Sequence, residues 1–223
     1  MIEKIISGGQ TGADQAGLDV AIEQGIPHGG WIPKGRKTEE GPLPAKYNLK
    51  EMGTASYPKR TEKNILDSDG TIIFTFGKLT GGSELTRKLS EQHGYPWLHV
   101  DLKKVSVGEG AELVGAWIEN NKIKVLNVAG SRASKAPGIY DFTKQILKAA
   151  IGMIKMQFTE YTDDGRLNKF QAYVPKDAEF AEGPQGMRAA WYEDGERRSM
   201  VLKEAFDRGV CVRIAGTEGQ IEE

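Results

Sequence analysis

Three short stretches of this chain place glycines beside hydroxyl side chains at the end of an apolar run. They are Gly8-Gly9-Gln10-Thr11-Gly12-Ala13-Asp14, Thr80-Gly81-Gly82-Ser83-Glu84 and Gly130-Ser131-Arg132-Ala133-Ser134. Glycine lets an anion approach the backbone, and a helix beginning just after it offers free N–H groups and a partial positive charge. Thr11, Ser83 and Ser131 add hydroxyl donors, so the stretches together describe a phosphate-binding edge. On this reading Gly9 faces the anion, and Gly9→Val abolishes binding with little loss of fold. Taken singly, each stretch is better explained as a turn and an N-cap, and Asp14 as a carboxylate favoured by the helix dipole. Their recurrence on one edge is what favours a site.

Two nucleotide-binding signatures are absent. The first stretch is not the G-x-G-x-x-G fingerprint, because its glycines fall at 8, 9 and 12, and no lysine follows Gly12 as a P-loop requires. GWIPKGRKT (residues 30–38) has P-loop glycine spacing, but Arg36 is inserted before Lys37-Thr38, and TEEGPLP follows instead of a helix. Lys34, Arg36 and Lys37 read as a solvated charged loop, with a phosphate contact as the lesser alternative.

Such loops act together only if strands and helices bring them to one place. Up to about residue 155 the chain alternates short β-rich runs with helical patterns. Residues 2–7 read as a strand, and 14–24 as a helix with Leu18, Ala21 and Ile22 on one face, stopped by Gly25 and Pro27. Residues 28–57, rich in glycine, proline and lysine, predict a short strand and a long irregular loop. Further helices are expected over 58–68, over 83–93 with Leu85 and Leu89 on one face, over 110–120, and from Pro137 onward with Ile139, Phe142 and Ile146 on one face. Strands are expected over 70–76, 97–102 and 123–129. Apolar strands separated by helices predict an α/β fold, a Rossmann-like doubly wound parallel sheet whose loops at strand C-terminal ends share an edge.

After about residue 155 the pattern changes. Asp164-Gly165 and Asp194-Gly195 each fall between β-rich runs, which is a hairpin signal. A short helix is expected over 200–208, ended by Gly209, before the run CVRIA. The chain therefore divides into a ligand-binding domain, 1–155, and a small α+β appendage, 156–223.

Composition narrows the function. With 223 residues and 39% apolar content the chain can bury one ordinary core, and its net charge of −1 provides no field for nucleic acid or membranes. No apolar stretch approaches the roughly 20 residues that span a bilayer, and the N-terminus has no signal-peptide pattern. Cys211 is the single cysteine, which excludes an intramolecular disulfide and suits a reducing compartment. His28, His93 and His99 lack metal-ligand spacing, so no directly ligated metal is expected. These features predict a soluble, cytoplasmic protein.

GGQTGAD at the start, RTEKNILDSDGTIIF with TGGSELT, and NVAGSR with PGI resemble the molybdenum-carrier family of the Lonely-Guy-like Rossmannoid superfamily. The resemblance covers about residues 1–153 and none of the appendage. It implies a Rossmann-like fold, self-association into a homo-oligomer, and binding of a nucleotide or of a phosphate-bearing pterin such as the molybdenum cofactor. Carried over by position, Gly8, Gly9, Thr11, Gly12, Asp14, Gly81, Gly82, Ser83, Gly130, Ser131 and Arg132 form the pocket, with Arg60, Thr61 and Asn64 near it. Arg132 then either forks onto a phosphate or makes a surface ion pair. A carrier of that cofactor needs no protein ligands to the metal, because the cofactor's dithiolene holds it. Trp31 reads as a core residue, with stacking on a flat heterocycle as the lesser alternative.

Two rival functions remain open. Lonely-Guy enzymes hydrolyse the N-glycosidic bond of nucleoside monophosphates with a glutamate following PGGxGTxxE. TGGSELT lacks the inner glycine, the glutamate position falls on Lys88 or Thr86, and Glu84 comes too early to be that residue. The alternative of a nucleoside-monophosphate phosphoribohydrolase therefore has no assigned carboxylate. The other alternative is a protein-interaction module that docks through the appendage.

Overall fold

The computed structural model describes residues 2–161, 167–175, 178–183, 186–193, 196–201, 204–205, 211–213 and 219–220. Five parallel strands form the central sheet: β1 (Lys4–Ser7), β2 (His28–Gly29), β3 (Gly70–Thr75), β4 (Trp97–Asp101) and β5 (Val125–Gly130), in the order β2-β1-β5-β3-β4. The helices are α1 (Ala13–Glu23), α2 (Tyr57–Leu66), α3 (Gly81–Gln92), α4 (Val107–Asn120) and α5 (Ile139–Gly152). The Rossmann-like parallel sheet is thus the fold, with boundaries within three residues of those expected. All of β3 is buried, as a continuous apolar run in a sheet covered on both faces should be.

The main core joins Ile5, Ile72, Phe74, Leu126 and Val128 of the sheet to Val114 and Ile118 of α4 and to Ile146 and Leu147 of α5. Three helical faces differ from the simple periodic reading. Ile22 of α1 and Phe142 of α5 are exposed, while Val20 and Thr143 are buried in their helices. In α3 the buried positions are Ser83, Thr86 and Ser90, with Leu85 and Leu89 half-buried beside them. Phe142 still contacts Phe76 edge to face, with centroids 5.7 Å apart.

Residues 28–57 are more ordered than their composition predicts. Besides β2 they contain the paired segments Trp31–Ile32 with Lys50–Glu51 and Lys37–Thr38 with Gly41–Pro42. Their hub is Arg36, expected to be a solvated charge. Its guanidinium donates to the carbonyls of Leu43, Pro44, Tyr47 and Leu49 at 2.9–3.2 Å. Around it Ile32, Leu43, Tyr47 and Leu49 form a second core against Leu18 of α1. Composition could not reveal this, because one arginine replaces the backbone ladder that would show as a pattern.

Beyond α5, strand Met153–Tyr161 pairs antiparallel with Leu167–Pro175, and Glu179–Gly183, Gly186–Glu193 and Glu196–Val201 form an antiparallel sheet. The expected Asp-Gly turns lie outside the described residues, but the runs flanking each do pair. Met200 belongs to a strand, not to the expected helix; helical backbone occurs at 204–205, and residues 206–210 lie outside the described set. Within CVRIA, Val212–Arg213 is a strand. Val174, Ala205 and Cys211 form a third buried cluster, joined by Met156, Phe158 and Phe180. No helix among the described residues is long and apolar enough to cross a membrane.

Candidate functional site

The three glycine loops follow β1, β5 and β3, which are neighbours in the sheet, so all three lie on the edge formed by the strand C-termini. The first and third loops touch. Ala13 N–H donates to the Ser131 carbonyl at 3.3 Å, and Ala133 N–H donates to the Thr11 hydroxyl at 3.2 Å. Gly12 allows this approach: a Cβ there would lie 2.5 Å from the Ser131 oxygen, and its φ of 80° is one that glycine tolerates. Gly130 likewise passes the Phe74 carbonyl, to which Ser131 N–H donates at 3.0 Å. In these positions glycine joins the loops to one another.

Gly8 and Gly9 face different surroundings. A Cβ on Gly8 would sit 1.6 Å from Nη1 of Arg60, so this glycine makes room for a guanidinium reaching over from α2. Arg60 also lies 3.7 Å from the Asp14 carboxylate, and its buried Nε has no hydrogen-bond partner among the described residues. Burial dominates the titration of Asp14 and pushes its pKa from 3.8 up to about 6, against the opposing pull of Arg60 and of the Gln10 and Gly130 N–H groups. The expectation for Gly9 needs correction. Its Cβ would meet Leu43 and Leu49 at 2.7 and 2.9 Å, so it faces the second core, and a valine there would attack the fold.

The second loop is the open one. Among the described residues, no atom beyond the chain neighbours and the helix's own backbone lies within 4 Å of a Cβ placed on Gly81 or Gly82 in the first turn of α3, and Thr80 gives this helix no side-chain cap. Helix α1 also starts without a side-chain cap, whereas Ser56 caps α2, and Ser106 with Glu109 forms a capping box on α4. Ser83 is buried beneath the turn. Glu84 is held by Arg87 at 2.5 Å and Lys88 at 3.8 Å, and the Arg87 hydrogen bond lowers its pKa. It is an ion-paired surface group.

The third loop holds a carboxylate that sequence reasoning missed. Glu39, at the tip of the hairpin Lys37–Thr38/Gly41–Pro42, accepts hydrogen bonds from the Thr11 hydroxyl, from Ser134 N–H at 3.1 Å and from the Ser134 hydroxyl at 2.5 Å. Arg132 Nη1 lies 3.6 Å from the same carboxylate. Gln10 fixes the approach by accepting from the N–H groups of Thr11 and Glu39, both at 3.0 Å. Although desolvation opposes it, these donors hold Glu39 below the usual carboxylate range. Nothing in TEEGPLP distinguishes Glu39 from Glu40; only the tertiary fold does.

The remaining predicted residues are placed as follows. Asn64 bonds with its amide to both N–H and carbonyl of Trp31, at 2.8 and 3.1 Å, and so pins α2 to residues 31–32. Thr61 is half-buried on α2. Trp31 is not a core residue: its indole donates to Asp67 at 2.7 Å, with Lys50 and Lys63 over its ring. A pocket at the opposite edge, between residues 66–69 and 94–96, has its polar groups engaged. Asp69 accepts from Lys124 and Val125 N–H, and Tyr95 donates to the Leu66 carbonyl. Among the described residues no group of His, Cys, Asp and Glu is arranged to hold a metal ion.

No curated protein matches the chain. A solved structure similar to it is the "Putative molybdenum carrier protein" from Syntrophus aciditrophicus SB, with 53% identity and a TM-score of 0.66, over 67% of this chain and 95% of that one. The sequence model of the circularly permutated YpsA SLOG family matches residues 5–151, a span holding all three loops, Arg60 and Glu39. The chain belongs to that family.

Proposed function

We propose that the chain binds and carries a small phosphate-bearing molecule, a nucleotide or a pterin like the molybdenum cofactor, on the edge made by its three glycine loops. The observation that carries this reading is the uncapped, unobstructed first turn of α3 at Gly81-Gly82, on the same sheet edge as Arg60, whose buried Nε has no partner among the described residues. A phosphate would take N–H groups of that turn and charge from the guanidinium, and Ser83 adds a hydroxyl nearby. The molybdenum cofactor fits the same donor set, because it brings its own ligands to the metal and asks the protein only for anion and ring contacts. The similar structure from Syntrophus aciditrophicus SB, named a molybdenum carrier, supports a carrier role. In this reading the protein works in the cytoplasm, as a homo-oligomer, without nucleic acid or membrane partners.

One observation favours a second reading. Asp14, with a pKa raised by burial to about 6 beside Arg60 and the Gln10 and Gly130 N–H groups, is a carboxylate tuned for proton transfer near neutral pH, as a phosphoribohydrolase would require. Glu84 is not suited to that role, being ion-paired with Arg87 and Lys88, which hold its pKa down. Mass spectrometry of what is released on denaturing freshly purified protein identifies the ligand, and release of ribose 5-phosphate from nucleoside monophosphates tests turnover. A carrier retains a nucleotide or pterin and releases no sugar. Steady turnover that disappears in Asp14→Asn would refute the carrier reading.

A further inference from the structure

We infer that Glu39 is a built-in occupant of an anion seat, and that a ligand's anionic group enters the seat of Thr11, Arg132 and Ser134 by displacing it. The inference rests on the reading of this edge as an anion site.

The seat is made of donors. The Thr11 hydroxyl, Ser134 N–H, Ser134 hydroxyl and Arg132 guanidinium converge on one carboxylate that comes from a distant part of the chain. Three of these groups come from Arg132 and Ser134 of the third loop, and Thr11 comes from the first, so the seat spans the junction where the two loops meet. Such a set suits a carboxylate or a phosphate oxygen about equally well, since both are charged acceptors of short hydrogen bonds. Arg132 is not consumed by Glu39. At 3.6 Å, and with nearly half its side chain exposed, it is free to swing onto a larger anion.

The segment carrying Glu39 is built to release it. Its root is fixed by Arg36 and by Leu43, Tyr47 and Leu49 in the second core. Its tip closes on itself, with the Thr38 hydroxyl donating to the Gly41 carbonyl at 2.7 Å and accepting from Glu40 N–H at 3.2 Å. Among the described residues, the tip's hydrogen bonds to the glycine loops all run through Glu39, by its carboxylate and by its N–H on Gln10. Movement of the tip therefore gives up the loop hydrogen bonds of one residue, while Leu43, Tyr47 and Leu49 of the second core lie beyond the tip. The device gates the third-loop seat in favour of ligands whose anion outcompetes a tethered carboxylate, and it leaves the open Gly81-Gly82 turn available at all times.

The test is calorimetric titration of the full chain with adenosine monophosphate and, separately, inorganic phosphate, using wild type, Glu39→Gln and Glu39→Ala. Thermal midpoints check that each variant is folded. Glu39→Ala should bind at least tenfold more tightly than wild type, and Glu39→Gln, which keeps an acceptor but loses the charge, should fall between them. Arg132→Ala in the Glu39→Ala background should reverse the gain. If wild type binds and the Glu39 variants bind no more tightly, the gate is wrong while the anion edge stands. If no protein of the set binds either anion, both readings fall.

Discussion

Asp14 gives the sharpest test of the electrostatics at this edge. A carboxyl group titrating near 6 in the folded chain and near 3.8 in the unfolded chain binds its proton more tightly when folded. Its contribution to stability is therefore fully present below about pH 4 and is lost as pH rises through about 6. At 1.36 kcal/mol per unit, the difference between 3.8 and about 6 amounts to about 3 kcal/mol between those limits. The same groups face it throughout: Arg60, with Gln10 and Gly130 N–H. Asp14→Asn, which resembles the protonated acid in shape and cannot titrate, isolates this residue from every other carboxylate. Denaturant unfolding of both proteins should be measured from pH 4 to pH 7.5, and the difference in stability plotted against pH. Wild type should lose about 2.5 kcal/mol relative to the variant over that range, since part of the effect is already gone at pH 4, with the steepest part near pH 5. A flat difference would show that Asp14 is ionised throughout in the folded state. Arg60 would then be stabilising the Asp14 carboxylate more strongly than their 3.7 Å separation suggests.

Other outcomes follow from the same geometry. Gly9→Val should cost roughly 2–4 kcal/mol, from overpacking against Leu43 and Leu49 and from a β-branched residue at φ 73°, read as a lower unfolding midpoint without ligand. Gly82→Val adds its side chain to open space, so its stability should change by less than about 0.5 kcal/mol while the thermal shift with nucleoside monophosphates disappears; an unchanged shift would remove the α3 turn from the site. A chain ending at Met156 should stay folded by circular dichroism and keep its ligand response, because the loops and the main core lie upstream of that point and Val174, Ala205 and Cys211 form a cluster of their own; aggregation would show that the appendage completes the core.

The sequence alone determined the sheet and the edge. Runs such as GTIIFTF can satisfy their side chains only when buried on both faces, and glycine after such a run forces a turn at the strand end, so strand, loop and helix follow one another by local physics. That the three loops share one edge was also legible, since parallel strands with helical crossovers put every such loop on one side. What each glycine does there was not. Gly9 and Gly82 look alike in sequence, yet one packs on Leu43 and Leu49 and the other faces open space, because a glycine's role is set by the neighbours that long-range folding brings to it. Asp14 was legible as a pocket carboxylate or as an ordinary first-turn one, but its raised proton affinity comes from burial that only the folded chain supplies. Glu39 lies in a segment with no periodic signal. Only the Arg36 hub and the second core decide that its carboxylate reaches across to Thr11, Arg132 and Ser134, and no local pattern encodes a contact spanning 95 residues.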